Sequence, residues 1–582
     1  MAKTLMKTIS LLILILFPSS LFCVSFELPE RSYNMILNPD GSAKVVEKVT
    51  YRIKQPFRYV SWAIDFEDPI TIEDINVEVL KGPSPKQVVF DRKTLRSVSL
   101  KVVFSPSMEE YLPVPKEGQI VEIAVEYSLK NILMEGKDFS QVFVKYIGKG
   151  TDVSTKLLKV RVVFPAEFGK PVVYHHPWGL QIAKKEITSN IYEFVFRNVP
   201  KNTFVEGRFV FPNVVGTGTE NLIKASLKDV EKEERDYLLK NYALVAGGIA
   251  YLLVVLAFPI YVYRKYGVEE TVDYQAEYER EPPTKDPPEI VNAIVKRLCQ
   301  KPDSDAISAA MLDMVRLGRA KFVENEKREI IGIRILKEDT ERKKLIECFE
   351  GYIKDGILLF KEIKKAMSNE KNAKNFLAKT SKWFDEIYSK VLQRNYMDTK
   401  GNTLAKTFAI IVGMIISFSL ILLTFNVPAI GFEIVFSHFR LMMAACIVVS
   451  LVVISMKRTV FARWTKEGLL YYLRWKNFEK FLTDFSMLSS YPPQSVAIWD
   501  EYIVYATALG VAKEVIRNLK KLYPEPPTTS ITAAVYHNQN LFEEIASIHR
   551  EAAITVSKSS SSTSSGGTKV GTGSGGSRVG VG

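Results

Sequence analysis

With 582 residues the chain has room for roughly four domains, fewer once membrane segments are set aside. Its formal net charge of +13 falls mostly after residue 263 and is not gathered into one basic stripe, a membrane protein's asymmetry that argues against nucleic acid as a partner. Of the cysteines, only Cys23 precedes residue 242, so no intramolecular disulfide staples the first half. No Cys-x-x-Cys pair offers the common zinc signature.

Residues 1–25 read as a secretory signal: Lys3 and Lys7, then an apolar run too short to span, then Pro18, Ser19 and Ser20. Cys23 and Ser25 are the small residues at −3 and −1, which predicts cleavage before Phe26. Residues 26–216 are expected to form external β-domains. Short runs of period two are punctuated by Pro and Gly, with Val121, Ile123, Val125 and Tyr127 opposite Glu122 and Glu126. Strands are expected at 43–53, 71–80, 97–104, 119–129, 156–164, 191–199 and 205–211, antiparallel throughout and sandwich-like. The length accommodates one large sandwich or two small ones packed together, and two is the expectation.

Residues 217–241 predict a stalk helix from Thr219, feeding a transmembrane helix at 242–263 that carries no charge. Arg264 and Lys265 follow at once, which places its C-terminal end in the cytoplasm. Ala243 with Gly247, and Ala246 with Ala250, are small-xxx-small pairs through which a homo-oligomer is expected. Residues 264–288 read as a semi-rigid Pro-rich linker. Residues 289–400 then predict a winged-helix-like cytoplasmic unit. A first helix holds Ile290, Ile294 and Leu298; a second is capped near Ser304 and closed by Gly318; a hairpin of 321–323 and 330–336 follows.

Two further spans are predicted at 407–426 and 441–456, with Lys400 and Lys406 before them and Lys457 and Arg458 after, so both outer ends are cytoplasmic. No span carries an ionisable residue at depth, which disfavours transport. In the helical region 457–525, Tyr471, Trp475, Phe478, Leu482 and Phe485 form an apolar stripe that either packs on protein or lies on anionic lipid. One helix is expected over 495–522. The Ser/Gly-rich tail 557–582 is expected to be disordered.

No catalytic, cofactor-binding or metal-ligating residue is assigned. Gly571, Gly573 and Gly576 satisfy G-x-G-x-x-G by composition only, and Lys149-Gly150-Thr151 lacks the glycine spacing of a phosphate loop. His175-His176-Pro177-Trp178 is expected in a loop turn, and Asp65, Glu67 and Asp68 at a solvated strand end. The second helix of the winged-helix outline carries Asp305 and Asp313 against Arg316, poorly suited to a phosphate backbone.

Five segments carry a family resemblance: ILNPDGSAKVVEKVTYRI (36–53), VPKNTFVEGRFVFP (199–212), YEREPPTKDPPEIV (278–291), WTKEGLLYYLRWKNFEKFLTDF (464–485) and IWDEYIVYATALGVAKEV (498–515). Together with the order of segments they resemble the YciQ-like predicted membrane proteins, defined by domain of unknown function 2207. The resemblance implies architecture and no activity. Its relatives' tails look like longer glycine runs, here interrupted by Lys569, Val570 and Arg578. The expected function is that of an integral cell-envelope protein in the lipid bilayer, outside at its N-terminal domain and cytoplasmic at its C-terminus. It binds protein partners on both sides as a scaffold or signal relay; the alternatives are an envelope enzyme or an accessory subunit of a membrane complex, and behind these a membrane-tethered nucleic-acid binder.

Overall fold

The computed structural model describes residues 26–562, except 108–109, 149–150, 328, 338, 428–430, 491–495, 525–530 and 539. The expected signal peptide, Lys149-Gly150 and the three tail glycines lie outside the described residues. Two compact units emerge among the described residues: 26–258 with 408–455, and 259–407 with 456–562.

The first unit begins with β1 (Phe26–Leu37), β2 (Ala43–Ile53), β3 (Tyr59–Asp65), β4 (Thr71–Lys81), β5 (Gln87–Thr94), β6 (Ser97–Val103) and β7 (Gln119–Lys130). It continues with β8 (Leu133–Glu135), β9 (Phe139–Ile147), β10 (Thr155–Val163), β11 (Val172–His176), β12 (Gln181–Thr188), β13 (Ile191–Val199) and β14 (Val205–Pro212). One seven-stranded sheet runs β12-β13-β10-β1-β2-β7-β4, beside a four-stranded sheet β11-β14-β9-β8 and a three-stranded sheet β3-β6-β5.

The alternation in β7 is real burial: Val121, Ile123, Val125 and Tyr127 are at most 1% exposed. Each such side chain contributes roughly 1.5–3 kcal/mol. The expected all-antiparallel pairing fails where β1 pairs with β10 in parallel. That pairing joins strands more than a hundred residues apart into one sheet. One apolar cluster therefore holds Val45 and Val160 of the large sheet, Val142 and Phe209 of the four-stranded sheet and Leu100 of the three-stranded sheet. The two expected sandwiches share a single core.

The stalk differs from expectation at its start. Residues 219–223 are extended along β8, with Thr219 Oγ1 donating to Leu133 O (2.8 Å) and Ile223 N to Glu135 O (2.8 Å). Helix begins only at Leu227, where the Asp229 carboxylate reaches back and accepts from the Ser226 backbone N–H (2.9 Å) and from its hydroxyl (2.7 Å). From Leu227 to Val262 the helix is unbroken.

Three helices are long and apolar enough to cross a membrane, at Leu227–Gly267, Lys400–Asn426 and Glu433–Ser455. The third starts well before residue 441. In the first unit Val255, Ile421, Met443 and Ile447 pack together, Tyr251 Oη donates to Val412 O (2.5 Å), and Phe258 stacks on Phe408 at 3.9 Å. Gly248 meets Met442 and Phe439, whereas Ala243, Ala246, Gly247 and Ala250 are exposed.

The second unit is mainly helical. A single turn, Pro288–Val291, continues as a π turn to Lys296, and helix Ser304–Arg316 is capped by the Asp303 side chain, one residue earlier than expected. Gly318 (φ 67°) closes that helix in a Schellman motif: Gly318 N donates to Val315 O (3.0 Å) and Arg319 N to Met314 O (2.8 Å). The hairpin Ala320–Glu324 with Ile330–Ile335 forms as expected and gains a third strand, Ile357–Leu359.

Three expectations change in this unit. Residues 274–286 are no spacer but a strap: Tyr278 Oη donates to Asp484 Oδ2 (2.8 Å), Arg474 Nε to Glu279 Oε1 (2.8 Å), and Tyr505 Oη to Asp286 O (2.9 Å). The helix expected over 495–522 is two, Val496–Leu509 and Ala512–Leu522, broken where Gly510 takes φ 84°. Residues 557–562 are helical, as the end of helix Leu541–Ser562, whose Phe542 O accepts from Ser308 Oγ (2.7 Å).

The aromatic stripe faces protein. Tyr471, Trp475, Phe478 and Leu482 are buried in helix Lys466–Thr483, with Trp475 4.8 Å from the Tyr505 ring and Phe478 5.3 Å from Tyr502. Phe485 leaves the stripe, 38% exposed, because Asp484 Oδ1 caps a new helix by accepting from Ser486 N (3.0 Å).

Candidate functional site

In β14 the alternation sorts two kinds of residue onto two faces. Val205, Phe209 and Phe211 join the sheet core, while Glu206, Arg208 and Val210 face the first part of the long helix. Neighbouring strands follow suit: His175 turns to Phe194 and Phe196 (4.3 and 5.3 Å between rings), and His176 turns to the helix. The helix answers with Val230, Glu234, Tyr237 and Asn241, at +4, +3 and +4, one face of an α-helix.

Between these faces lies a buried ionic cluster. His176 Nε2 is 2.9 Å from Glu234 Oε2, and His176 Nδ1 is 3.5 Å from Glu206 Oε1. Arg208 Nη1 donates to Glu234 Oε1 (2.9 Å) and to Glu233 Oε2 (2.9 Å), and its Nε donates to Gln141 Oε1 (2.7 Å). Its guanidinium lies 5.2 Å from the Phe143 ring centre. On the opposite, core-facing side of the strand Gly207 makes room for the Tyr146 ring, since a Cβ there would sit 1.8 Å from Tyr146 Oη. Burial raises the Glu206 carboxyl above its ordinary range and pushes the His175 imidazole down to about 4, so His175 is neutral near pH 7.

The cluster extends toward the connection between the second and third spans. Tyr237 Oη accepts from Trp178 N (2.8 Å) and donates to Gly431 O (2.6 Å), and the Phe432 ring lies 5.4 Å from the Tyr237 ring. Every charge here is held by another protein group. Such an arrangement fixes the sheet, the helix and the connection in one register.

His175 and His176 lie at the end of β11, not in a loop turn, although they do point to opposite faces. Asp65, Glu67 and Asp68 are exposed; Asp65 accepts from Ser97 Oγ and Asp68 pairs with Arg96 at 3.0 Å. No group of three or more His, Cys, Asp or Glu with metal-binding geometry exists among the described residues. Glu206, Arg208, Glu234 and Tyr237 were invisible as a site. The signal was present as charge on alternate positions of the strand VEGRFVFP, which reads equally well as an ordinary solvated face.

Residues 27–211 match the family model described as "Predicted membrane protein (DUF2207) N-terminal domain", and residues 275–519 match its C-terminal domain. The chain belongs to the DUF2207 family. The cluster residues on β9, β11 and β14 other than Pro212 fall within the family's N-terminal domain, and the strap and aromatic stripe fall within its C-terminal domain, apart from residue 274. No curated protein matches the DUF2207 chain. Among solved structures it is similar to yeast LTA4 hydrolase in complex with bestatin (9% identity, TM-score 0.21), over 32% of this chain and 28% of that one. It is also similar to the M1 zinc metallopeptidase of Deinococcus radiodurans (10% identity, TM-score 0.20), over 32% of this chain and 42% of that one. The chain thus spans less than half the length of either.

Proposed function

We propose that this DUF2207 protein is a non-enzymatic membrane relay, whose β-rich domain binds a partner outside and whose helical region engages a partner inside. The observation that carries the reading is the latch: the helix held in the β-domain by Arg208, His176 and Glu234 runs unbroken into the apolar span. A β-domain fastened this way moves with its helix, so a ligand that biases one biases the other. The flanking Arg264, Lys265, Lys457 and Arg458 support cytoplasmic placement of the helical region. Helix, helix and hairpin keep a winged-helix outline in this reading. Helix Ser304–Arg316 has nine consecutive buried residues, Ala306–Met314, and so presents no open face to a nucleic-acid groove, which favours a protein partner. The exposed Ala243, Ala246, Gly247 and Ala250 support self-association through that face of the helix.

Topology is checked by cysteine labelling. Lys101→Cys should react with an impermeant maleimide in intact cells, and Lys371→Cys only after permeabilisation. The reverse pattern at Lys371 would sink the orientation.

The relay itself is tested by amide hydrogen exchange on protein in nanodiscs. Glu234→Gln removes a charge from the latch, worth roughly 1.5–3 kcal/mol of charge-assisted bonding. Exchange should rise about tenfold or more in β11 and β14, around Gly431 and at residues 263–267. A rise confined to β11 and β14 would refute coupling and leave the latch merely structural.

A further inference from the structure

Helix Ala512–Leu522 buries Val515, Ile516 and Leu519 and turns Lys513, Arg517, Lys520 and Lys521 outward. These four cations line one cavity of about 710 Å³ together with Glu514, Ile516 and Asn540. Two carboxylates meet the group: Glu514 pairs with Arg517 (3.0 Å) and Glu543 with Lys513 (2.7 Å). Lys520 and Lys521 pair with no carboxylate among the described residues. Their ammonium groups lie 4.7 Å from the Tyr536 ring centre and 5.3 Å from that of Phe485. An aromatic face holds a cation in place without cancelling its charge.

The cavity therefore has the size of a small-molecule site, and four of its seven lining residues are cations. Two lysines are held in place with no carboxylate partner among the described residues, and Arg517 beside them, paired at one side with Glu514, carries the planar fork that donates to phosphate oxygens. We propose that this cavity binds a phosphate group, carried by a soluble phosphorylated molecule or by a lipid headgroup, through Lys520, Lys521 and Arg517. The site shares no residue with the latch and gives the helical region a ligand of its own.

The experiment is lysine acetylation footprinting of the full chain, read by mass spectrometry, with Lys361, Lys364 and Lys365 as exposed controls. One arm adds inorganic pyrophosphate to protein in phosphatidylcholine nanodiscs. The other replaces part of the phosphatidylcholine with phosphatidic acid. Selective protection of Lys520 and Lys521 by pyrophosphate supports the site with a soluble ligand; protection by phosphatidic acid alone supports it with a headgroup. Calorimetric titration of the effective ligand into K520Q/K521Q should show affinity about tenfold weaker, as expected for lost charge-assisted contacts. No protection in either arm, protection shared equally by the control lysines, or unchanged affinity in the variant would overturn the proposal.

Discussion

Trp475→Ala should destabilise the helical unit by about 3–5 kcal/mol, the cost of truncating a large core aromatic. Trp475 is 0% exposed and lies against Tyr471, Phe478 and Tyr505 at ring distances of 6.2, 5.7 and 4.8 Å. Alanine would leave a cavity that these rigid rings, anchored on two helices, cannot collapse into. Trp475→Phe should cost far less. The indole Nε1 is buried with no hydrogen-bond partner among the described residues, so phenylalanine removes an unpaired donor along with part of the volume. Thermal unfolding of the detergent-solubilised protein, followed by near-ultraviolet circular dichroism, gives the comparison. A Trp475→Ala melt within a degree of the parent would mean the stripe is not core. Equal losses for alanine and phenylalanine would mean that the indole N–H has a partner.

The second large effect is expected at Arg342, 2% exposed among buried carboxylates. Its Nε and Nη2 donate to the two oxygens of Glu289 (3.0 and 3.1 Å), and Nη2 also donates to Asp313 Oδ2 (2.8 Å). Arg342→Met should cost about 3–5 kcal/mol, because breaking a buried pair strands a charge. The stranded charge is specific. Asp313 keeps Arg316 at 2.7 Å and Asp339 keeps Arg319 at 2.8 Å, but Glu289 has no second cation among the described residues. Adding Glu289→Leu should therefore recover most of the loss, since apolar replacement of a whole buried pair is often near neutral. Denaturant titrations of the two single variants and the double variant close the cycle. Additive losses would show that Glu289 and Arg342 are not energetically coupled.

Several elements were legible in the chain because they depend on near neighbours. Strand Ile191–Val199 and strand Ala43–Ile53 match their expected bounds, since period-two alternation beside turn residues is a local property. Gly318 announced its helix end for the same reason: only a left-handed residue lets Arg319 N reach Met314 O. The first membrane helix needed no fold at all, only a long uncharged run of sufficient length.

What escaped the reading depends on partners far away in sequence. Nothing near β1 indicates that it pairs in parallel with β10, and that pairing is what merges two expected cores into one. The 274–286 segment looked like a spacer because its Pro and charge content is that of a linker. Its Glu279 and Tyr278 find Arg474 and Asp484 roughly two hundred residues on, which makes it a strap. The latch is the extreme case. Glu206 and Arg208 read as a solvated strand face until the long helix lays Glu234 over them, and burial then turns surface charges into a fastening. Sequence alone determined where the chain enters the bilayer and which runs alternate, because hydropathy and period are carried by each segment itself. Tertiary structure alone decided which charges are buried, because burial belongs to whatever packs on top.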